Sequence, residues 1–109
     1  MAEKRIVPRQ ELRVFARAME KVLRQNDWKR GWKGDSPRVL MDRIWDEIRE
    51  LEPAADRWAR NEATIEEVQK ELLDIANFCM MAWDRLEARS MRAVETAKNG
   101  RRSCRTEVK

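Results

Sequence analysis

TIEEVQKELLDIANFCMMAWDRL, residues 64–86, is the stretch on which the fold turns. Thr64, followed three residues later by Glu67, makes a capping box in which each residue satisfies a free donor of the other at a helix start. Val68, Leu72, Ile75, Cys79, Ala82, Trp83 and Leu86 then recur at the three-and-four spacing of a single helical face. The pattern predicts a helix from Thr64 through Leu86 and on to Lys98, stopping before Asn99-Gly100. Phe78 and Met81 widen the apolar arc into a second stripe, and Glu71 and Asp74 fall inside that stripe.

Upstream, Ser36 is placed to cap a second helix and Pro37 to occupy its first position. Val39, Leu40, Ile44, Ile48 and Leu51 form its apolar face, and Pro53 predicts an end near Glu52, with residues 53–63 as a connection. A further helix should start at Pro8 and run to Gln25, burying Leu12, Phe15, Ala16, Met19, Val22 and Leu23. Between them, NDWKRGWKGD (residues 26–35) reads as a loop, with two Gly, two Trp and three basic residues. Residues 99–109 bring no apolar face and read as a basic flexible tail after a helical domain spanning 1–98.

Composition agrees with an all-α chain. Three Gly and three Pro in 109 residues are too few for the turns of a barrel or sandwich, and 42% hydrophobic residues are too many for a disordered segment. A domain this short buries only roughly 60–65% of its unfolded surface, so the bundle is expected to be completed by oligomerisation. No apolar run approaches the ~20 residues that cross a bilayer, and MAEKRIVPRQ lacks the apolar segment of a signal peptide, so no membrane partner and a cytoplasmic location are expected. Two cysteines, Cys79 and Cys104, do not make a disulfide framework or a zinc site, and the absence of His excludes a His-based triad or a His-ligated metal.

The net charge of +4 conceals a division. Residues 85–109 carry 8 basic and 3 acidic side chains, whereas residues 46–74 carry 10 acidic and 4 basic ones. A nucleic-acid reading from total charge is therefore poorly founded, and the acidic centre calls for cations.

Glu47 falls inside the apolar stripe of the second helix and Glu50 on its flank, just as Glu71 and Asp74 lie in the second stripe of the next one. An ionised carboxylate at a buried position costs several kcal/mol unless a cation meets it. Arg43 could pair with Glu47 one turn later, but four carboxylates converging between two helices favour a divalent metal. All-oxygen ligands select a hard ion, Mg²⁺ or Mn²⁺. Glu62, Glu66 and Glu67 belong instead to the favourable N-terminal turn of the last helix or its approach.

Asp46-Glu47-Ile48-Arg49-Glu50, followed after twenty residues by Glu71-Leu72-Leu73-Asp74, resembles the EExxE…ExxD motif of the MazG-type all-α nucleoside triphosphate pyrophosphohydrolases. The resemblance covers about residues 28–84 and departs at Asp46, where the family has Glu; that position points away from the stripe. It implies an antiparallel helical bundle, a homodimer or homotetramer, that converts an NTP or dNTP to the monophosphate and pyrophosphate. It also implies Mg²⁺ on Glu47, Glu50, Glu71 and Asp74, with Glu47 or Glu50 as the proton acceptor for the attacking water.

A nucleotide needs an apolar wall for its base and cations for its phosphates, and Trp28, Lys29, Trp32 and Lys33 offer both in one loop. The tryptophans can equally cover the end of a bundle. Asn77 could hydrogen-bond sugar or phosphate, or stand exposed on its helix. Nucleic acid is not expected as a partner, although a helical interaction module whose basic tail binds a partner or nucleic acid is the alternative reading.

Overall fold

The computed structural model describes residues 5–26 and 31–103, with side chains through residue 99, and every regular element among them is helical. The elements are α1 (Gln10–Gln25), α2 (Pro37–Ala59) and α3 (Ile65–Ser103). α2 and α3 form an antiparallel hairpin, and α1 lies against α3. The Cα radius of gyration is 19.1 Å, against about 13 Å for a compact chain of this length, because the 39-residue α3 outruns everything packed on it.

α2 starts as its sequence predicts, with Ser36 Oγ accepting from the Val39 amide at 3.2 Å and Pro37 in the first turn. It does not stop at Pro53. The helix runs through that residue to Ala59, held by Ala54, which is buried on the hairpin, and by the 2.7 Å ion pair of Arg57 with Glu67. What ends it is Asn61 at φ 62°, with the Glu62 amide donating to the Arg57 carbonyl and the Asn61 amide to the Trp58 carbonyl. That is a left-handed C-terminal cap carried by asparagine in place of glycine, and it shortens the expected 53–63 connection to residues 60–64. The Thr64–Glu67 capping box then opens α3, the Glu67 amide donating to Thr64 Oγ1 at 3.2 Å.

Two further boundaries differ from the sequence reading. α1 begins at Gln10 with Arg9 as its N-cap, so Pro8 precedes the helix and its carbonyl accepts from Arg13 instead. α3 passes through Asn99 and Gly100 to Ser103, so the expected break before the tail is absent from the backbone.

The core lies along the seam between the two stripes of α3. Leu40 of α2, 1% exposed, meets Met81 and Ala82, and Leu23, Trp32, Met41, Phe78 and Met80 pack around them. Met81 and Phe78 belong to the second stripe, the one that carries Glu71 and Asp74. The first stripe is divided: Ala82 is buried, Val68 and Ile75 are half-buried, and Leu72, Cys79, Trp83 and Leu86 are exposed, Trp83 at 65%. α1 likewise buries no residue completely. Leu12, Phe15 and Ala16 are exposed, while Met19, Val22 and Leu23 are half-buried. No described helix is long and apolar enough to cross a membrane.

Candidate metal centre

Carrying acids on the core stripe of both hairpin arms brings them face to face. One oxygen from each of Glu47, Glu71 and Asp74 lies within 4.8 Å of the others, and all three residues are half-buried. Opposite ligands on Mg²⁺ at 2.0–2.1 Å stand about 4.2 Å apart, so the group is close to cation-binding dimensions. Glu50 is exposed on the flank, outside this trio but next to Glu71. The structure thus assembles three of the four expected carboxylates closely and places the fourth at the rim.

The electrostatics are those of uncompensated acids. Burial, and then the charges of Glu50, Asp74 and Glu71, push the Glu47 carboxyl above its ordinary value. Burial also lifts Glu71, with Glu50 and Asp74 adding to the shift and Lys70 opposing it. Lys70 donates to Asp74 at 2.9 Å, and this bond raises the Lys70 ammonium above its ordinary value. That one cation leaves two oxygens unserved: Glu47 Oε1 and Glu71 Oε1 are buried and have no hydrogen-bond partner. Buried acceptors are normally satisfied, so two orphaned carboxylate oxygens on residues of one acidic cluster fit a hard cation.

Beside the centre a cavity of about 330 Å³ opens between α1, the loop before α2, and the hairpin. Asp74 and Asn77 are among its polar lining, and Trp32, Phe78 and Met81 are among its apolar walls. Arg43 does not pair with Glu47. Its guanidinium lies 5.1 Å from the Phe78 ring centroid and lines the same cavity.

Of the expected substrate residues, Trp32 and Asn77 line this cavity. Asn77 is not an exposed helical residue: it is 4% exposed, and its Nδ2 donates to the Met19 carbonyl at 3.4 Å. Lys33 points elsewhere. Its ammonium sits 5.5 Å from the Trp32 centroid, and the residue lines a smaller cleft at the start of α2 with Arg85, Arg89 and Arg92. Trp28 and Lys29 lie outside the described residues. The sequence reading missed Arg43 and Asp35 as cavity residues and Lys70 as the ion partner of Asp74. Only Lys70 carried a signal, being four residues before Asp74 on one helix.

No family model and no solved structure matches the chain. A protein of Archaeoglobus fulgidus, described as uncharacterized, is 33% identical over 80 residues, which cover 72% of this chain and 78% of that protein. The chain belongs to the same family as this archaeal protein.

Proposed function

We propose that the protein is a Mg²⁺-dependent nucleoside triphosphate pyrophosphohydrolase of the MazG-like type, with Mn²⁺ as an alternative ion. The observation that carries this reading is the pair of buried, partnerless oxygens of Glu47 and Glu71 beside a cavity with aromatic walls. Glu47, Glu71 and Asp74 would hold the metal, with Glu50 at its edge. Bound there, Mg²⁺ would neutralise the triphosphate and stabilise charge developing on the phosphoryl oxygens. Glu50 is the solvent-open member of the set, so it can take a proton from the attacking water and release it to bulk. Trp32, Phe78 and Met81 offer a base an apolar seat from which water is displaced. Lys70 holds the Asp74 carboxylate in place through its hydrogen bond.

The proposal extends to a homodimer or homotetramer. The open face of Leu72, Cys79, Trp83 and Leu86 on α3 supports it, since a contiguous apolar stripe of this kind is what a second copy would cover.

The test is incubation with ribo- and deoxyribonucleoside triphosphates, with Mg²⁺ or with EDTA, scored for pyrophosphate and monophosphate. Metal-dependent pyrophosphate release that disappears in Glu71→Gln is expected. Release that survives in EDTA or in that variant refutes the metal assignment. The alternative is a helical interaction module whose basic tail, residues 99–109, binds a partner or nucleic acid, and the Lys33, Arg85, Arg89 and Arg92 cleft would add basic surface to it. It predicts instead a thermal midpoint indifferent to Mg²⁺ and a salt-sensitive association.

A further inference from the structure

Asn77 is the most deeply buried polar residue among those described, and half of its amide is unaccounted for. Its Nδ2 donates to the Met19 carbonyl of α1, whereas Oδ1 is buried with no partner. The orientation is fixed by that first bond. Rotating the amide would set Oδ1 against the Met19 carbonyl oxygen, two acceptors face to face. Asn77 is among the residues that line the 330 Å³ cavity, and Oδ1 is the acceptor that this bond leaves without a partner. An acceptor cannot serve a phosphate oxygen, which has no proton to give at neutral pH. It calls for a ligand that brings an O–H or N–H.

The order of groups along α3 says which part of a nucleotide brings it. Glu71 and Asp74 come first, Asn77 follows about 4.5 Å further along the axis, and Met81 lies about 10.5 Å beyond Asp74, with Phe78 between. Carboxylates, then an acceptor, then an apolar and aromatic wall repeat the sequence of phosphate, sugar and base. We infer that Asn77 is a specificity-determining residue whose Oδ1 accepts a hydrogen bond from a sugar hydroxyl of the nucleotide. The inference rests on the nucleotide reading above and adds the feature by which the substrate is read. A site built to pair a hydroxyl discriminates against the analogue that lacks it, because the buried acceptor is then left alone.

The experiment compares kcat/KM for the ribo-, deoxyribo- and 2′,3′-dideoxyribonucleoside triphosphates of one base, in the wild type and in Asn77→Ala. In the wild type the dideoxy compound should fall at least tenfold below the hydroxyl-bearing ones, and the ribo/deoxy comparison separates 2′ from 3′ reading. In Asn77→Ala the ratio should approach one, chiefly by loss on the hydroxyl-bearing substrates. A purely structural role through Met19 would lower all three together and leave the ratio unchanged, which overturns the inference. Equal rates for all three sugars in the wild type, a measurement needing no variant, overturn it as well while leaving the pyrophosphohydrolase reading intact. Turnover of no triphosphate at all overturns both.

Discussion

Replacing Glu71 by Gln should stabilise the metal-free protein, the reverse of what most substitutions at half-buried positions do. The side chain keeps its shape and loses its charge. Two carboxylates whose oxygens lie within 4.8 Å of each other repel by about 3.5 kcal/mol, taken at that outer distance and an effective dielectric of ~20. Protonation sets a ceiling of similar size, because a carboxyl with an ordinary value near 4.5 surrenders its charge at pH 7 once the penalty passes about 3.4 kcal/mol. Solvent at the open rim and Lys70 on Asp74 reduce the realised gain to about 1–2 kcal/mol. For a domain of this size that is a rise of about 5–10 °C in Tm. The assay is thermal unfolding by circular dichroism in EDTA and in excess Mg²⁺, at one fixed protein concentration. In EDTA the variant should melt above the wild type. Adding Mg²⁺ should raise the wild type by the equivalent of about 2.7 kcal/mol at a hundredfold excess over Kd and barely move the variant. A variant that melts at or below the wild type in EDTA would refute the account of Glu71 as an unpaired, repelled acid.

Because Glu47 and Glu71 are held above their ordinary value, the folded chain binds more protons than the unfolded one just above pH 4.5, so their contribution to metal-free stability is fully present at lower pH and is lost as pH rises through the raised values. Mg²⁺ should reverse the trend, its stabilising effect growing with pH; melting curves across pH, with and without EDTA, read both slopes. Leu40→Ala should cost about 2–5 kcal/mol in a denaturant titration, since Leu40 is the most deeply buried side chain in the described core. Pro53→Ala should raise Tm, because α2 already runs through this position and alanine restores the missing amide donor; a fall would show that proline sets the helix's course. Trp83→Glu should leave the helical spectrum intact and, if a second copy covers the open face of α3, shift sedimentation toward the monomer.

Local chemistry was legible in the sequence wherever it stayed local. The Ser36-Pro37 start of α2 and the Thr64–Glu67 box need only residues three apart, and both are present. Boundaries that depend on neighbours were misread. Pro53 looks like a stop until Ala54 and the Arg57–Glu67 pair supply the packing that carries α2 past it, and Asn61 reads as an ordinary loop residue until its positive φ shows that it is the cap. Periodicity located the anomalous acids Glu47, Glu71 and Asp74 because a charge inside an apolar stripe is visible without a structure. It could not say which part of the apolar arc of α3 meets α2: Met81 and Phe78 of the second stripe do, together with Ala82 of the first, while Leu72, Trp83 and Leu86 of the first stay exposed. Asn77 was ambiguous for the same reason, as spacing gives a face and not a depth.

The acidic group lies between two points where the hairpin arms are tied. On one side Leu40 is packed on Met81 and Ala82; on the other, nearer the turn, Arg57 grips Glu67. Repulsion at Glu47, Glu71 and Asp74 is opposed chiefly by the Leu40 packing, the half-exposed Arg57–Glu67 pair adding little, so the three carboxylates stand together without an ion. If the protein takes up Mg²⁺ as proposed, loading should resemble a key entering a standing lock, without refolding, and a chelator should leave the helices in place.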